Sequence, residues 1–323
     1  MEIYLDNAAT TKPCPQAVSA VMEALTDNWG NPSAVHQLGL RAEKSVKHAR
    51  EQVAHTLGCN PEQLFFTSGG TEGDNFAVFS VAQKCHKRGR HIITTAVEHP
   101  AILQTVAMWE TKGYRVTRLG VDEKGRLNLD EYKEALTPDT AIVSIMFANN
   151  EVGNIYPIKE MAELAKEKGI LFHTDAVQAA GKINIDLNDL PVDMLSISGH
   201  KLHAPKGIGI LYVRKGVRFR PFMRGGHQEG GRRAGTENVP YIAGLGVACE
   251  LAAKNMNDEI TRVSALRDKL EKGITSSVPD TKVNGDTEHR LPGTTNIAFR
   301  NIEGEAVLLM LNEYGICASS GSG

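Results

Sequence analysis

Ser196-Ile197-Ser198-Gly199-His200-Lys201-Leu202-His203-Ala204-Pro205-Lys206-Gly207-Ile208-Gly209 sets a lysine between two histidines, after an apolar run and before a Pro-Lys-Gly turn. The run from Asp193 to Ile197 reads as a strand, and Ile208 to Val213 as another. Upstream, Ile170 to His173 is a third strand, and Thr174-Asp175-Ala176-Val177-Gln178 leaves it. An isolated lysine is ordinarily a solvated surface group. What Lys201 does therefore depends on the elements around it.

Those elements alternate. Pro15 opens a helix with Val18, Val21, Met22 and Leu25 on one face. Asn31-Pro32-Ser33 breaks the chain and can cap a second helix, which stops at Gly58. Strands are expected at Leu64–Thr67, His91–Ala96, Tyr114–Leu119 and Thr140–Phe147. Helices are expected after Gly70 and over Ala101–Lys112, Leu129–Leu136 and Ile158–Lys168. Such alternation implies right-handed crossovers and a mostly parallel sheet with helices on both faces, an α/β fold. Beyond Gly235 the pattern changes to two long helices, Val239–Lys254 and Asp258–Ile274, then a strand near Thr295–Phe299 and a helix over Glu303–Tyr314. We read residues 16–238 as a large domain, and residues 1–15 with 239–323 as a smaller α+β domain.

Bulk composition narrows the class. The 323 residues carry a formal net charge of −2, which gives no electrostatic reason to expect a nucleic-acid partner. No apolar run is long enough for a membrane span, and Met1–Asp6 lacks the features of a secretory signal. The five cysteines, Cys14, Cys59, Cys85, Cys249 and Cys317, are scattered without a C-x-x-C pair. A reducing cytoplasm fits them better than a disulfide framework or a zinc site.

Polar clusters sit where the strands end. Ser68-Gly69-Gly70-Thr71 joins a strand to a helix, where free amides and the helix dipole favour an anion. Alone it is a weak motif, and a glycine turn needs no ligand. Glu98-His99, Asn149-Asn150-Glu151 and His173-Thr174-Asp175 end further strands, where open α/β sheets bind ligands. Each has a plainer reading too: a turn for the asparagines, a helix cap for Asp175. Together they supply a phosphate cradle, an imidazole for a ring face, a carboxylate for a ring nitrogen and a lysine for an aldehyde. That inventory is what pyridoxal 5'-phosphate (PLP) requires.

The chain resembles the NifS-like cysteine desulfurases of the class-V aminotransferase family, which are fold-type I PLP enzymes. The matching stretches are Tyr4–Thr11, Asn31–Ser33 with His36, Phe66–Asn75, Glu98-His99, Asn149–Gly153, His173–Gln178, Ser198–Lys201, Gly225–Gly230, Gly235–Val239 and Ala318–Ser322. The resemblance implies that Lys201 forms the Schiff base and moves the Cα proton. Asp175 would hold the ring nitrogen protonated, Gln178 would meet the phenolic oxygen, and His99 would stack on the ring as an acid–base group. Gly70, Thr71, Ser198 and His200 would hold the phosphate, Thr236 would reach the phosphate of a partner subunit, and Asn150 would lie near the ring. It also implies a cytoplasmic homodimer that takes L-cysteine, releases alanine and passes sulfur to an acceptor or scaffold protein, for iron–sulfur cluster or other sulfur-containing cofactor or tRNA synthesis, with no metal and no direct nucleic-acid or membrane contact. Selenocysteine lyase or another PLP β-lyase is the alternative. In the family the nucleophilic cysteine follows the Ser-Ser-Gly-Ser run, and a carboxylate-binding arginine lies further on. Here the sequence stops at Gly323, so we expect a C-terminally truncated form that binds PLP without sulfur transfer.

Overall fold

The computed structural model describes residues 2–85 and 89–321. In chain order the elements are β1 (Ile3–Tyr4), α1 (Pro15–Thr26), α2 (Gln37–Leu57), β2 (Leu64–Thr67), α3 (Gly70–Cys85), β3 (His91–Thr95), α4 (Pro100–Glu110), β4 (Arg115–Leu119), α5 (Leu129–Ala135) and β5 (Thr140–Ser144). There follow α6 (Ile158–Glu167), β6 (Leu171–Asp175), β7 (Met194–Ser198), β8 (Gly209–Val213), α7 (Gln228–Gly231), α8 (Val239–Ser277), β9 (Thr281–Asn284), β10 (Asn296–Phe299), α9 (Gly304–Glu313) and β11 (Ile316–Cys317).

A seven-stranded sheet in the order β2-β8-β7-β6-β5-β3-β4 forms the core. Strands β3 to β7 pair in parallel, and β8 runs antiparallel to both β7 and β2. Residues of β3, β5 and β7 are buried throughout, as both faces of the sheet are covered. Helices are packed on each side, giving two apolar layers. One includes Ile93, Val143, Phe172 and Tyr212, the other Phe76, Ile92, Ile142 and Leu211. The edge strand β2 is protected by Glu229, whose carboxylate accepts from the Phe66 amide at 3.1 Å and pairs with Arg50 at 2.7 Å.

Most expected elements are present, with three corrections. The face of α1 carrying Val18, Met22 and Leu25 is exposed, whereas Ala17 and Ala24 are buried. The reason is close helix packing: a Cβ at Gly244 of α8 would lie 2.8 Å from Val21, so small residues fill the contact and large ones turn outward. Asn31–Ser33 does not cap α2; His36 does, its Nδ1 accepting from the Gly39 amide at 3.3 Å. The two helices expected beyond Gly235 are one continuous helix of 39 residues. Asn255 and Asn257 are weak helix formers, but there is neither Gly nor Pro there, and nothing breaks the hydrogen-bond ladder.

The N-terminal half of α8 packs on α1 and α2, burying Ile242, Leu245 and Cys249. Its far end leads into the antiparallel β9–β10 pair. Strand β1 pairs in parallel with β11, joining Tyr4 to Cys317. None of the helices, among the described residues, is long and apolar enough to cross a membrane.

Candidate active site

The C-terminal ends of β5, β6 and β7 open into a cavity of about 630 Å³. Of the residues singled out from sequence, Gly70, Thr71, His99, Asn150, Asp175, Gln178, Ser198, His200 and Lys201 line it. Thr236 does not; it is exposed on the loop before α8. Lys206, the lysine of the Pro-Lys-Gly turn, also reaches the rim.

Lys201 ends a single 3-10 turn after β7. Its Nζ donates to the carbonyl of Ala8 and, at 2.8 Å, to that of Ala9. Burial pulls the ammonium below its ordinary value, against the attraction of Asp175, Asp6 and Glu151. The Gln178 Nε2 donates to the same Ala8 carbonyl at 2.9 Å, while its Oε1 accepts from Lys182 at 2.8 Å. Lys182 is pushed down to about 7 by burial and by Lys201. His200 Nδ1 lies 3.1 Å from the Thr10 hydroxyl, and burial, with the nearby lysines, lowers its imidazole to about 4. The arm Ala8–Thr11 thus forms one wall, a role that its sequence only hinted at.

On the opposite side α3 begins at Gly70. The first amides of a helix have no acceptor within it, so those of Gly70, Thr71 and Glu72 are available to an anion. Gly69 has φ +153°, and a Cβ on Gly70 would lie 2.6 Å from Val177. Only glycine leaves the cradle open at both positions. Glu72 braces the turn from behind, accepting from the Ser68 amide at 2.7 Å and from Arg233 Nε at 2.8 Å. Burial would raise that carboxyl, but Arg233 and the Ser68 amide outweigh it and hold it below its ordinary value.

Asp175 is 6% exposed, and its Oδ1 accepts from the Val177 amide at 2.8 Å. No α-helix begins there, so this is a turn bond rather than a helix cap. His99 caps α4: its Nδ1 accepts from the Ala101 amide at 3.1 Å, which in the neutral ring leaves the hydrogen on Nε2. Asn149 holds its turn through Oδ1, and the adjacent Asn150 donates to Glu151 at 2.6 Å.

Two carboxylic acids were given no role in the sequence reading, although Glu98 was noted at its strand end. Asp74, three residues after Thr71 and so on the same face of α3, is 1% exposed at the cavity floor. Glu98 is 5% exposed, with Oε1 accepting from Thr95 Oγ1 at 2.8 Å and from the Met146 amide at 3.0 Å. Burial pushes Glu98 up to about 8, despite these bonds. Burial likewise raises Asp175, and raises Asp74 further, with the neighbouring carboxylates adding to the effect on Asp74. The Thr71–Asp74 spacing could have flagged Asp74, but an acid on a helix usually faces water.

The donor set fits PLP. A glycine cradle and hydroxyls at one end would hold a phosphate, a buried carboxylate at the floor would meet a ring nitrogen, and Lys201 lies between. The volume suits a small ligand.

The Aminotransferase class-V profile matches residues 3–323. A cysteine desulfurase of Trichormus azollae is 57% identical over 320 residues, 99% of this chain and 80% of that protein. The cysteine desulfurase NifS of Azotobacter vinelandii is 54% identical over 322 residues, again 99% and 80%. Among solved structures, a NifS-like protein superposes with a TM-score of 0.96 at 40% identity, covering 99% of this chain and 87% of that one. SspA in complex with cysteine gives 0.88 at 36% identity, covering 100% and 90%.

Proposed function

Since the chain belongs to the class-V aminotransferase family, we propose that it is a PLP-dependent cysteine desulfurase, taking L-cysteine to L-alanine and passing the sulfur on as a persulfide. The observation that carries this is the convergence of Lys201, Asp175, Gln178, His99 and the start of α3 on one cavity. When bound, PLP supplies an electron sink for the carbanion at the substrate Cα.

The chain's own groups do the rest. Gly70, Thr71, Ser198 and His200 would hold the phosphate. Asp175 would keep the ring nitrogen protonated, and Gln178 Nε2 would meet the phenolic oxygen. Asn150 would lie beside the ring, and His99 over it. Lys201, whose Nζ donates to the Ala8 and Ala9 carbonyls, would hold the PLP aldehyde and move the proton at the substrate Cα. Its lowered affinity for a proton suits it to act as a base.

Sulfur transfer needs an accessible thiolate. Burial pushes Cys59 and Cys249 up to about 12, which leaves them poor nucleophiles. Cys85 has its side chain outside the described residues. The resemblance puts the acceptor thiol just past the Ala318–Ser322 run, of which Ser322 lies outside the described residues. Ser319 in that run donates to Asp6 at 2.6 Å, and a side chain on Gly321 would meet Glu151, so the segment sits near the cavity mouth.

A homodimer is part of this reading. Thr236 is exposed away from its own cavity, where it could serve a second subunit, and Met22, Leu25 and Trp29 form exposed apolar surface. The acceptor is a protein, and the compartment is the cytoplasm. The test is alanine release from cysteine with a thiol reductant, with persulfide mapping and sedimentation. Persulfide on Cys317 with full turnover would overturn the thiol assignment, and a PLP-free protein inert to cysteine would overturn the reading itself.

A further inference from the structure

Asp74 has no place in the roles assigned so far. It is buried, lines the same cavity as Asp175, and its carboxyl acts directly on that of Asp175. Its Oδ1 has no hydrogen-bond partner. The nearest nitrogen is His173 Nε2, at 3.7 Å. That imidazole is already occupied: Nε2 is 2.9 Å from Ser196 Oγ and Nδ1 is 2.9 Å from Ser144 Oγ. Burial lowers His173 to about 3, so it carries no charge near neutrality.

Gly73 sets this arrangement. A Cβ there would lie 2.9 Å from Ser196 Oγ, so glycine lets α3 press onto β7 and the adjacent β8. The next residue, Asp74, is thereby placed against Asp175 rather than in solvent.

Two neighbouring carboxyl groups lining one cavity away from water resist ionising together. One proton must lie between them, and the surroundings decide which group keeps it. Asp175 receives the Val177 amide at 2.8 Å and is attracted to His99 and Lys201. Asp74 faces Glu98 and Asp175, both acids, with the Ser196 hydroxyl and the neutral His173 as its other polar neighbours. An ionised Asp74 would be a buried charge without a cation.

Resting on the PLP reading above, we propose that Asp74 is a positioning residue: a neutral acid whose proton is donated to Asp175, fixing that carboxylate as the anion that faces the ring nitrogen. The proton remains on Asp74 when PLP binds, and Asp175 forms its ion pair with the protonated ring. Ser144, His173 and Ser196 form a neutral hydroxyl–imidazole chain behind the two acids. A lone carboxylate would have to be held by its main-chain bond alone. The second acid both orients it and supplies a donor to its inner side.

The test uses PLP-loaded protein carrying Asp74→Asn and Asp74→Leu. An asparagine can still donate to Asp175; a leucine fills the space without a donor. Reconstitution with PLP gives the affinity, and the 15N resonance of labelled PLP reports ring-nitrogen protonation. We expect Asp74→Asn to stay within about threefold of wild-type affinity, and Asp74→Leu to lose about tenfold or more, the loss of one buried donor. The 15N signal should remain in the protonated range in Asp74→Asn and shift toward neutral pyridine in Asp74→Leu.

Equal 15N signals in wild type and Asp74→Leu overturn the proposal. So does an Asp74→Asn variant as impaired as the leucine, because the group would then act as a charge. If wild type itself binds no PLP, the functional reading fails instead. Should the leucine variant not fold, infrared spectroscopy decides. In Glu98→Gln protein, which lacks that raised carboxyl, held near pH 7 where ordinary carboxyls are ionised, the carbonyl stretch of a protonated carboxylic acid must persist. It must vanish when Asp74→Asn is added; absence of the band in Glu98→Gln alone overturns the proposal.

Discussion

Replacing Glu98 by Gln should change how stability depends on pH more than it changes stability itself. In the fold Glu98 Oε1 keeps two donors while Oε2 has none, and the side chain is buried. Its pKa is raised from 4.5 to about 8. Because the folded value exceeds the unfolded one, the stabilisation is fully present below 4.5 and is lost as pH rises through about 8. Within that window each pH unit costs about 1.4 kcal/mol, so about 2 kcal/mol should disappear between about pH 6 and 8. The wild-type profile will not display this plainly. Lys182 has the opposite sign: its folded value is lowered from 10.5 to about 7, and its contribution grows as pH rises through about 7. Over the same interval that returns about 1 kcal/mol. The informative quantity is therefore the difference between urea unfolding of PLP-free wild type and Glu98→Gln, followed from about pH 6 to 8. The variant should gain on the wild type by about 2 kcal/mol across that range. Parallel profiles would mean that Glu98 is already ionised in the fold, and the burial argument would fail.

Borohydride reduction of the PLP-loaded protein should label Lys201 and leave Lys206 unmodified, as judged by peptide mapping; a label on Lys206 reverses the assignment. Asp175→Ala should retain PLP yet slow exchange of the α-proton of cysteine by about 100-fold or more, since a neutral ring is a weaker electron sink; wild-type exchange would reduce Asp175 to a turn residue. Glu271 on α8 accepts from Arg290 at 2.7 Å and from Thr295 at 2.6 Å, and Arg290 is nearly buried. Glu271→Ala should cost about 3 kcal/mol in chemical unfolding, because the guanidinium loses its principal partner; a cost below about 1 kcal/mol would show that Asp268, 3.7 Å from Arg290, suffices.

The sequence made the strand–helix alternation legible because burial on both faces writes unbroken apolar runs, as in Thr140–Ser144, and because Pro15 and Gly58 punctuate the helices. Residues at strand ends could be grouped for the same reason. Strand direction left no such local trace. The antiparallel course of β8 follows from the short turn through Pro205-Lys206-Gly207, not from its own residues. Periodicity also misled in α1, where a close helix contact selects alanine and glycine and turns larger side chains outward. Asp74 was hidden because its burial depends on Gly73 meeting Ser196, residues 123 positions apart.

The wall built by the N-terminal arm ties distant parts of the chain into one assembly. The Leu5 amide donates to the Cys317 carbonyl at 2.8 Å, and three residues on, the Ala8 carbonyl accepts from both Lys201 and Gln178. During synthesis Lys201 emerges nearly two hundred residues after Ala8, and Cys317 later still. Closing such long loops is entropically slow and offers little until the sheet exists to receive the arm. The lysine's environment is thus a late product of folding, and a nascent chain can hold a finished sheet while its lysine still faces water. A bulky substitution in β1 would act on the same step, loading a strand whose partner β11 lies far along the chain.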